Sequence, residues 1–422
     1  MSTVSTLLPQ RQVLAYGALG LPLAMAALPI YVHVPRLYAE ISGMSLSLLG
    51  VLFLLSRMTD AFIDPLLGAW SDRTAKRQRL IVLAVPLLAL GMLALLHPPQ
   101  VGATVWLLAS LLLTYFAFSL ASVAYQAWGA ELGVDSGERT RLTASREGFG
   151  LVGVVLAAAL PGLLASDVAQ GLSWLSWIFV ALLLLLATLT LRGAPAAAQR
   201  LPAAGNLFGE LWQVLADRSF RRLLTVFVVN GIAASLPATL VLFFVADVLQ
   251  AEAWGGAFLA LYFVSGIVFL PVWVALSRRF GRVPAWVAAM LVAVAAFFWA
   301  WTLGSGDVAA FAVICLLSGA ALGADLTLPS ALLADIAEAA NGRQGRSAQA
   351  GGYFGWWNLV AKLNLALAAG LSLPLLDQVG YRPGVAEATA GLSAVYCLLP
   401  LLFKTIAAVL AWRWRATLES SS

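Results

Sequence analysis

Long, uncharged apolar runs constrain this chain more than any other feature. Residues 105–120 and 176–191 carry no charge and almost no polar break. In a bilayer every backbone polar group must be paired within the structure, which leaves only helices and closed barrels. Barrel strands would read as short alternating segments, and these runs do not alternate, so helices are expected. A spanning helix takes about 20 apolar residues. Composition points the same way: 61% of the 422 residues are hydrophobic and 11% charged. Soluble domains carry roughly a quarter charged residues. A mean hydropathy of +0.90 leaves too little polar surface to face water.

Spans are expected near 13–35, 44–70, 80–97, 102–130, 143–166, 170–192, 221–248, 254–276, 283–303, 307–331, 351–375 and 386–410. With both termini in the cytoplasm, the inside loops collect Arg11, Arg73, Lys76, Arg77, Arg79, Arg139, Arg141, Arg192, Arg218, Arg278, Arg282, Arg343 and Arg413, with others beside them. The outer loops keep only Arg36 and Arg382. That asymmetry is the positive-inside signature. Residues 1–12 are polar and the first apolar run is long enough to stay as a span, so no cleaved leader is expected. The longest hydrophilic stretch, 193–220, separates an N-terminal bundle (1–192) from a C-terminal bundle (221–422). Within this linker Leu207–Leu215 reads as a short amphipathic surface helix.

Several chemistries lack their residues. Cys315 and Cys397 lie in apolar runs and read as packing residues. His33 and His97 are far apart, and no metal-ligand spacing exists. No phosphate-binding Gly-x-x-x-x-Gly-Lys-Ser/Thr loop is present, so no built-in ATPase is expected. No nucleophile–base pair supports an enzyme, and no cofactor is called for. The net charge of +5 comes from short basic loops and is no nucleic-acid footprint.

Charges inside spans point to function, because each costs about 3 kcal/mol on insertion scales. The second span holds Arg57, Asp60 and Asp64, spaced to share one helical face. Two carboxylates a turn apart repel when both are ionised. A bound cation or a proton relieves that repulsion, as a coupling site requires. Arg57 is placed to pair with Asp60, leaving Asp64 as the more readily titrated partner. Lys362, with Asn358 one turn before it, sits mid-span and needs a counter-charge, for which the second-span carboxylates are candidates. Asp325 and Lys404 read as a structural pairing. The acid–base alternation of Glu131, Glu138, Arg139 and Arg141, with Asp72 and Arg73, reads as a cytoplasmic gate held by ion pairs. Arg146 suits either that gate or the cavity. Tyr125, Gln126, Trp128, Trp357 and Asn358 are candidate cavity residues for a small-molecule substrate. Most of the fifteen tryptophans are expected at the membrane interface.

The two halves echo each other. Gly68-Ala69-Trp70-Ser71-Asp72-Arg73 follows the second span, and Ala275-Leu276-Ser277-Arg278-Arg279-Phe280-Gly281-Arg282 follows the eighth. Such a repeat implies two similar bundles with the substrate site between them, as in major facilitator transporters. The stretch Asp60-Ala61-Phe62-Ile63-Asp64-Pro65-Leu66-Leu67-Gly68 into Ser71-Asp72-Arg73 resembles the second helix of the glycoside–pentoside–hexuronide:cation symporters, the melibiose permease group. Gly129-Ala130-Glu131 with Glu138-Arg139-Thr140-Arg141-Leu142 is similar as well, as are Leu332 to Ile336 and Gly352-Tyr353-Phe354 leading to Lys362. The resemblance runs nearly end to end. It implies an all-α membrane protein with twelve spans in two six-helix bundles, both termini cytoplasmic. It also implies a cation site at Asp60 and Asp64 with Lys362 nearby, and H+ or Na+ as coupling ion.

The departures have meaning too. Sugar-carrying members have a carboxylate on the first helix, where Pro22 stands here, and another on the fourth, where Ser122 aligns. An amide often precedes their second aspartate; here that residue is Ile63. Its loss removes a sodium ligand and favours a proton, although Ser119 offers a hydroxyl. The expected activity is cation-coupled symport of a sugar, glycoside or other small organic solute. The rival is transport of amphiphilic lipids or drugs on the same fold, by proton antiport. Three lysines against many arginines, with heavy Ala, Leu and Gly usage, point to a bacterial inner membrane. The chain is expected to work as a monomer in the bilayer.

Overall fold

The structure, a computed structural model, describes residues 8–42, 44, 46–74, 77–133, 135–165, 168–196, 207–344, 350–378 and 389–419. Among them there is no strand. The helices are α1 (Gln10–Gly17), α2 (Gly20–Val32), α3 (Val34–Ser42), α4 (Leu46–Asp72), α5 (Arg77–Leu96), α6 (Ala103–Leu132), α7 (Ser136–Leu164), α8 (Val168–Gly193) and α9 (Leu207–Ala216). Then follow α10 (Arg218–Phe243), α11 (Gly255–Phe280), α12 (Arg282–Ala300), α13 (Val308–Gln344), α14 (Ala350–Gln378), α15 (Thr389–Ser393), α16 (Leu399–Arg413) and α17 (Arg415–Glu419). Two π-turns, Phe244–Val248 and Ala394–Leu398, continue α10 and join α15 to α16. Nine of the described helical stretches are long and apolar enough to cross a membrane. Helix also covers the first, second and eleventh expected spans.

Local chemistry explains where helices begin and break. Asp135 caps α7 by accepting the Glu138 amide at 2.7 Å, with Glu138 at the third helical position as in a capping box. The expected fifth span, 143–166, therefore begins seven residues late: the charged stretch before it is helix, not loop. The tenth, expected at 307–331, runs on to Gln344 for the same reason. An apolar window marks what lies in lipid, and a helix continues past it wherever its backbone stays paired. The first span is not one helix. It breaks between Gly17 and Gly20, where Pro22 has no N–H for the Ala18 carbonyl. Gly281 ends α11 at φ +93, a conformation that L side chains rarely adopt.

Two compact units are seen. The first comprises Met1–Leu215 with Ala337–Leu359. In it α5 packs on α6, and α2 on α7, around buried Tyr16, Leu88, Leu120, Trp128 and Phe179. The surface helix expected at 207–215 is α9. Its Leu211 and Val214 are buried while Trp212 is 68% exposed, and its Leu211 carbonyl accepts the Trp356 indole N–H at 3.1 Å. The second unit comprises Ala216–Ile336 with Val360–Ser422. There α16 packs on α10 and α12, and Phe244 stacks on Tyr396 at 4.3 Å. Cys315 and Cys397 are free and buried.

Candidate functional site

The carboxylates of α4 lie in the interior of the first unit. Asp60 is 4% exposed and Asp64 is fully buried. Their four-residue spacing on one helix puts both on one face. Ser119 of α6 donates to Asp60 Oδ1 at 2.7 Å, so the hydroxyl and the carboxylate expected together do meet. Arg57, one turn earlier, is half-buried. Pro65 breaks the hydrogen-bond ladder just after Asp64. There α14 comes against the backbone of α4. A Cβ on Gly355 would stand 2.6 Å from the Asp64 carbonyl oxygen, and one on Gly68 would stand 2.1 Å from that of Gly351. Only small residues let helices approach this closely. The sequence signal for this approach is the small-residue spacing of Gly351, Gly352 and Gly355, but nothing in the sequence names its partner. Lys362, half-buried, lies farther along α14 and falls in the second unit. Asn358 is half-buried and Trp357 buried.

The expected cavity residues of α6 form an interior aromatic group. The Tyr16 hydroxyl donates to the Tyr125 carbonyl at 3.1 Å, and the Tyr125 hydroxyl donates to the Tyr16 carbonyl. The two rings lie 4.7 Å apart, and Tyr16 meets Trp128 edge-on at 5.8 Å. Trp128 is fully buried and Gln126 half-buried. Arg146 bonds Glu147 at 2.6 and 3.0 Å, beside both tyrosines. Sequence reasoning misses Tyr16 as a site residue, since it does not break the local pattern of its segment.

The expected gate residues fall into two groups. Arg77 organises the first. It bonds Glu131 at 2.7 and 2.9 Å, Asp72 at 2.7 Å and Ser71 at 2.6 Å. Asp72 also accepts the Gly351 and Gly352 amides at 2.7 and 2.8 Å. These are unsatisfied first-turn donors of α14 at the positive end of its dipole, where a carboxylate belongs. Asp72 lies two residues beyond the expected span. Burial pushes its carboxyl up to about 6, against the pull of Arg77 and the two amides. In the sequence Arg77 is only one of many basic loop residues. The second group holds the chain's beginning: Glu138 accepts the Leu8 amide at 2.5 Å, and Arg141 reaches Gln10 at 2.8 Å. Arg139 turns back to the Ala130 carbonyl at 3.4 Å. Arg73 is half-buried.

Comparison with known proteins covers almost the whole chain. Residues 13–417 match the family described as MFS/sugar transport protein. The chain is 22% identical over 410 residues to the uncharacterized symporter YjmB of Bacillus subtilis (strain 168), covering 90% of this chain and 85% of that one. It is 25% identical over 431 residues to a Salmonella typhimurium protein assigned as a 2,3-dihydroxypropane-1-sulfonate exporter, covering 94% and 91%. The fold superposes on a single-residue variant of the E. coli fucose:proton symporter FucP with a TM-score of 0.69 at 14% identity, covering 94% and 97%.

Proposed function

The chain belongs to the MFS/sugar transport protein family, and from that premise we propose that it couples a proton to uptake of a small polyhydroxylated organic solute. As a family member it is a multi-pass membrane transporter and not an enzyme. The finer reading, a member of the glycoside–pentoside–hexuronide:cation symporter group, rests on one observation. Two carboxylates one turn apart on α4 are buried inside an expected span, and Ser119 donates to one of them. Such a pair holds one negative charge more comfortably than two, so its affinity for a cation changes with its surroundings. Ile63 contributes no oxygen beside Asp64, which suits a proton better than Na+. Lys362 serves as the movable counter-charge, and Arg57 pairs with Asp60.

In this mechanism Arg146, Tyr125, Gln126, Trp128, Trp357 and Asn358 form the substrate end of the pathway. Asp72, Arg77 and Glu131 form the cytoplasmic gate, closed when Asp72 takes the first amides of α14. Arg73, Glu138, Arg139 and Arg141 brace it. Opening exchanges those amide bonds for water, so the gate costs little to break once the carboxylates are loaded. The carrier works as a monomer in a bacterial inner membrane.

The test is uptake into proteoliposomes of a sugar and glycoside panel under imposed proton or sodium gradients. Gradient-driven uptake that Asp64→Asn uncouples supports the reading. Movement of none of these solutes sinks it. A second reading, export of amphiphiles or small anions by proton antiport, is favoured by the Salmonella relative and by Pro22 and Ser122 in place of carboxylates. Outward counterflow of a sulfonate from loaded vesicles would select it.

A further inference from the structure

A carboxylate midway along α13 gathers polar groups from other helices of the second unit. Asp325 accepts the Trp286 indole N–H of α12 at 2.8 Å and the Asn230 amide N–H of α10 at 3.1 Å. Its second oxygen takes the ammonium of Lys404 on α16. Tyr262 of α11 stands within electrostatic reach. The Lys404 and Asp325 side chains are 6% and 9% exposed. Holding helices together does not explain this expense. Well-packed apolar residues in place of a buried ion pair are often neutral or stabilising.

One oxygen here is left without a donor. Asn230 is 3% exposed, and its Oδ1 has no hydrogen-bond partner among the described residues. The nitrogen of the same amide is the one bonded to Asp325. Pro329 stands four residues after Asp325 inside α13. Without an N–H it cannot serve the Asp325 backbone carbonyl. A carboxylate, an amide oxygen and a carbonyl lacking its usual helical donor are ligand types that hard monovalent cations take in transporters. The frame around them is stiff. A Cβ on Gly319 would stand 2.2 Å from the Tyr262 carbonyl oxygen, and one on Gly323 would stand 2.7 Å from that of Gly266, so α13 and α11 are in backbone contact just before Asp325.

We infer that the Asp325 carboxylate, with the Asn230 amide beside it, forms a monovalent-cation site that the tethered ammonium of Lys404 fills at the carboxylate alone. The site is distinct from the carboxylates of α4 and does not rest on their role. Its charge is supplied covalently, so this half of the carrier keeps its packing whatever the salt. Shortening Lys404 opens the site to a dissolved alkali cation of sodium size.

The experiment uses the full chain carrying Asp60→Asn and Asp64→Asn, which removes any response of α4. Melting temperature is followed in sodium, lithium, potassium or choline chloride at constant ionic strength. With Lys404 present, the melting temperature should be the same in all four. Lys404→Ala, purified in sodium, should lose roughly 5–10 °C in choline. Sodium or lithium should then raise it with the logarithm of concentration, as binding to the native state alone requires. Adding Asp325→Asn should abolish that response. If Lys404→Ala does not fold, Lys404→Ser is used, since its hydroxyl adds an oxygen to the same site. No alkali response in the folded variant overturns the inference, as does a response that survives Asp325→Asn. Equal responses with and without Lys404 also overturn it.

Discussion

Replacing Arg77 by Gln tests whether one guanidinium holds the Asp72 end of α4. Arg77 is 5% exposed and serves Glu131 twice, Asp72 once and Ser71 once. The side chains of Asp72 and Glu131 are 4% and 7% exposed. Without Arg77 two buried carboxylates face each other with no neutralising charge. Breaking a buried pair by removing one partner costs about 3–5 kcal/mol. Protonation of Asp72 lowers this, so ~3 kcal/mol is the expected loss. At roughly 2–4 °C per kcal/mol for a unit of this size, the melting temperature falls by about 6–12 °C. Intrinsic tryptophan fluorescence in detergent measures it. The decisive comparison is the triple variant Asp72→Asn, Arg77→Gln, Glu131→Gln. It buries no charge and should recover more than half of the loss. A change under about 2 °C in Arg77→Gln, or a triple variant no better than the single, would refute the argument.

Other consequences follow from the same geometry. Gly355→Ala drives a Cβ to 2.6 Å from the Asp64 carbonyl. It should cost about 1–3 kcal/mol in thermal unfolding, whereas Gly150→Ala, whose nearest contact is at 3.5 Å, should be tolerated. Ser119→Ala removes the hydroxyl donated to Asp60, a bond that favours the proton-free carboxylate, and should lower the proton concentration for half-maximal uptake about tenfold; Ser119→Thr should restore it. Asp72 keeps its proton up to about 6 in the folded chain against an ordinary 3.8. Its contribution to stability is therefore full below the lower value and lost as pH rises through the upper one. Asp72→Asn should flatten that limb of the melting temperature against pH.

The membrane architecture was legible because it is written in hydropathy, which no tertiary detail overrides. Asp60 and Ser119 were legible for a similar reason: a polar atom in an apolar span is conspicuous. Arg77 was not, because basic residues at helix ends are common and serve topology first. What sets it apart is burial between Asp72 and Glu131, a property of the fold. Gly355 is silent in the same way, since a glycine reveals its purpose only when another backbone lies against it. The late start expected for α7 and the early end expected for α13 share one cause. Hydropathy reports the solvent, while hydrogen bonding sets the length of a helix.

The π-turns at Phe244–Val248 and Ala394–Leu398 bear on how the gene itself can vary. Deleting one residue from a membrane helix turns everything downstream by about 100° and draws it in by ~1.5 Å, so its lipid face swings into the bundle. A π-turn already holds one residue more than an α-turn. Losing Ala246 or Val395 would let the wide ring close to ordinary geometry and leave the following faces in phase. At these two places the reading frame of side chains along the helix tolerates a missing codon.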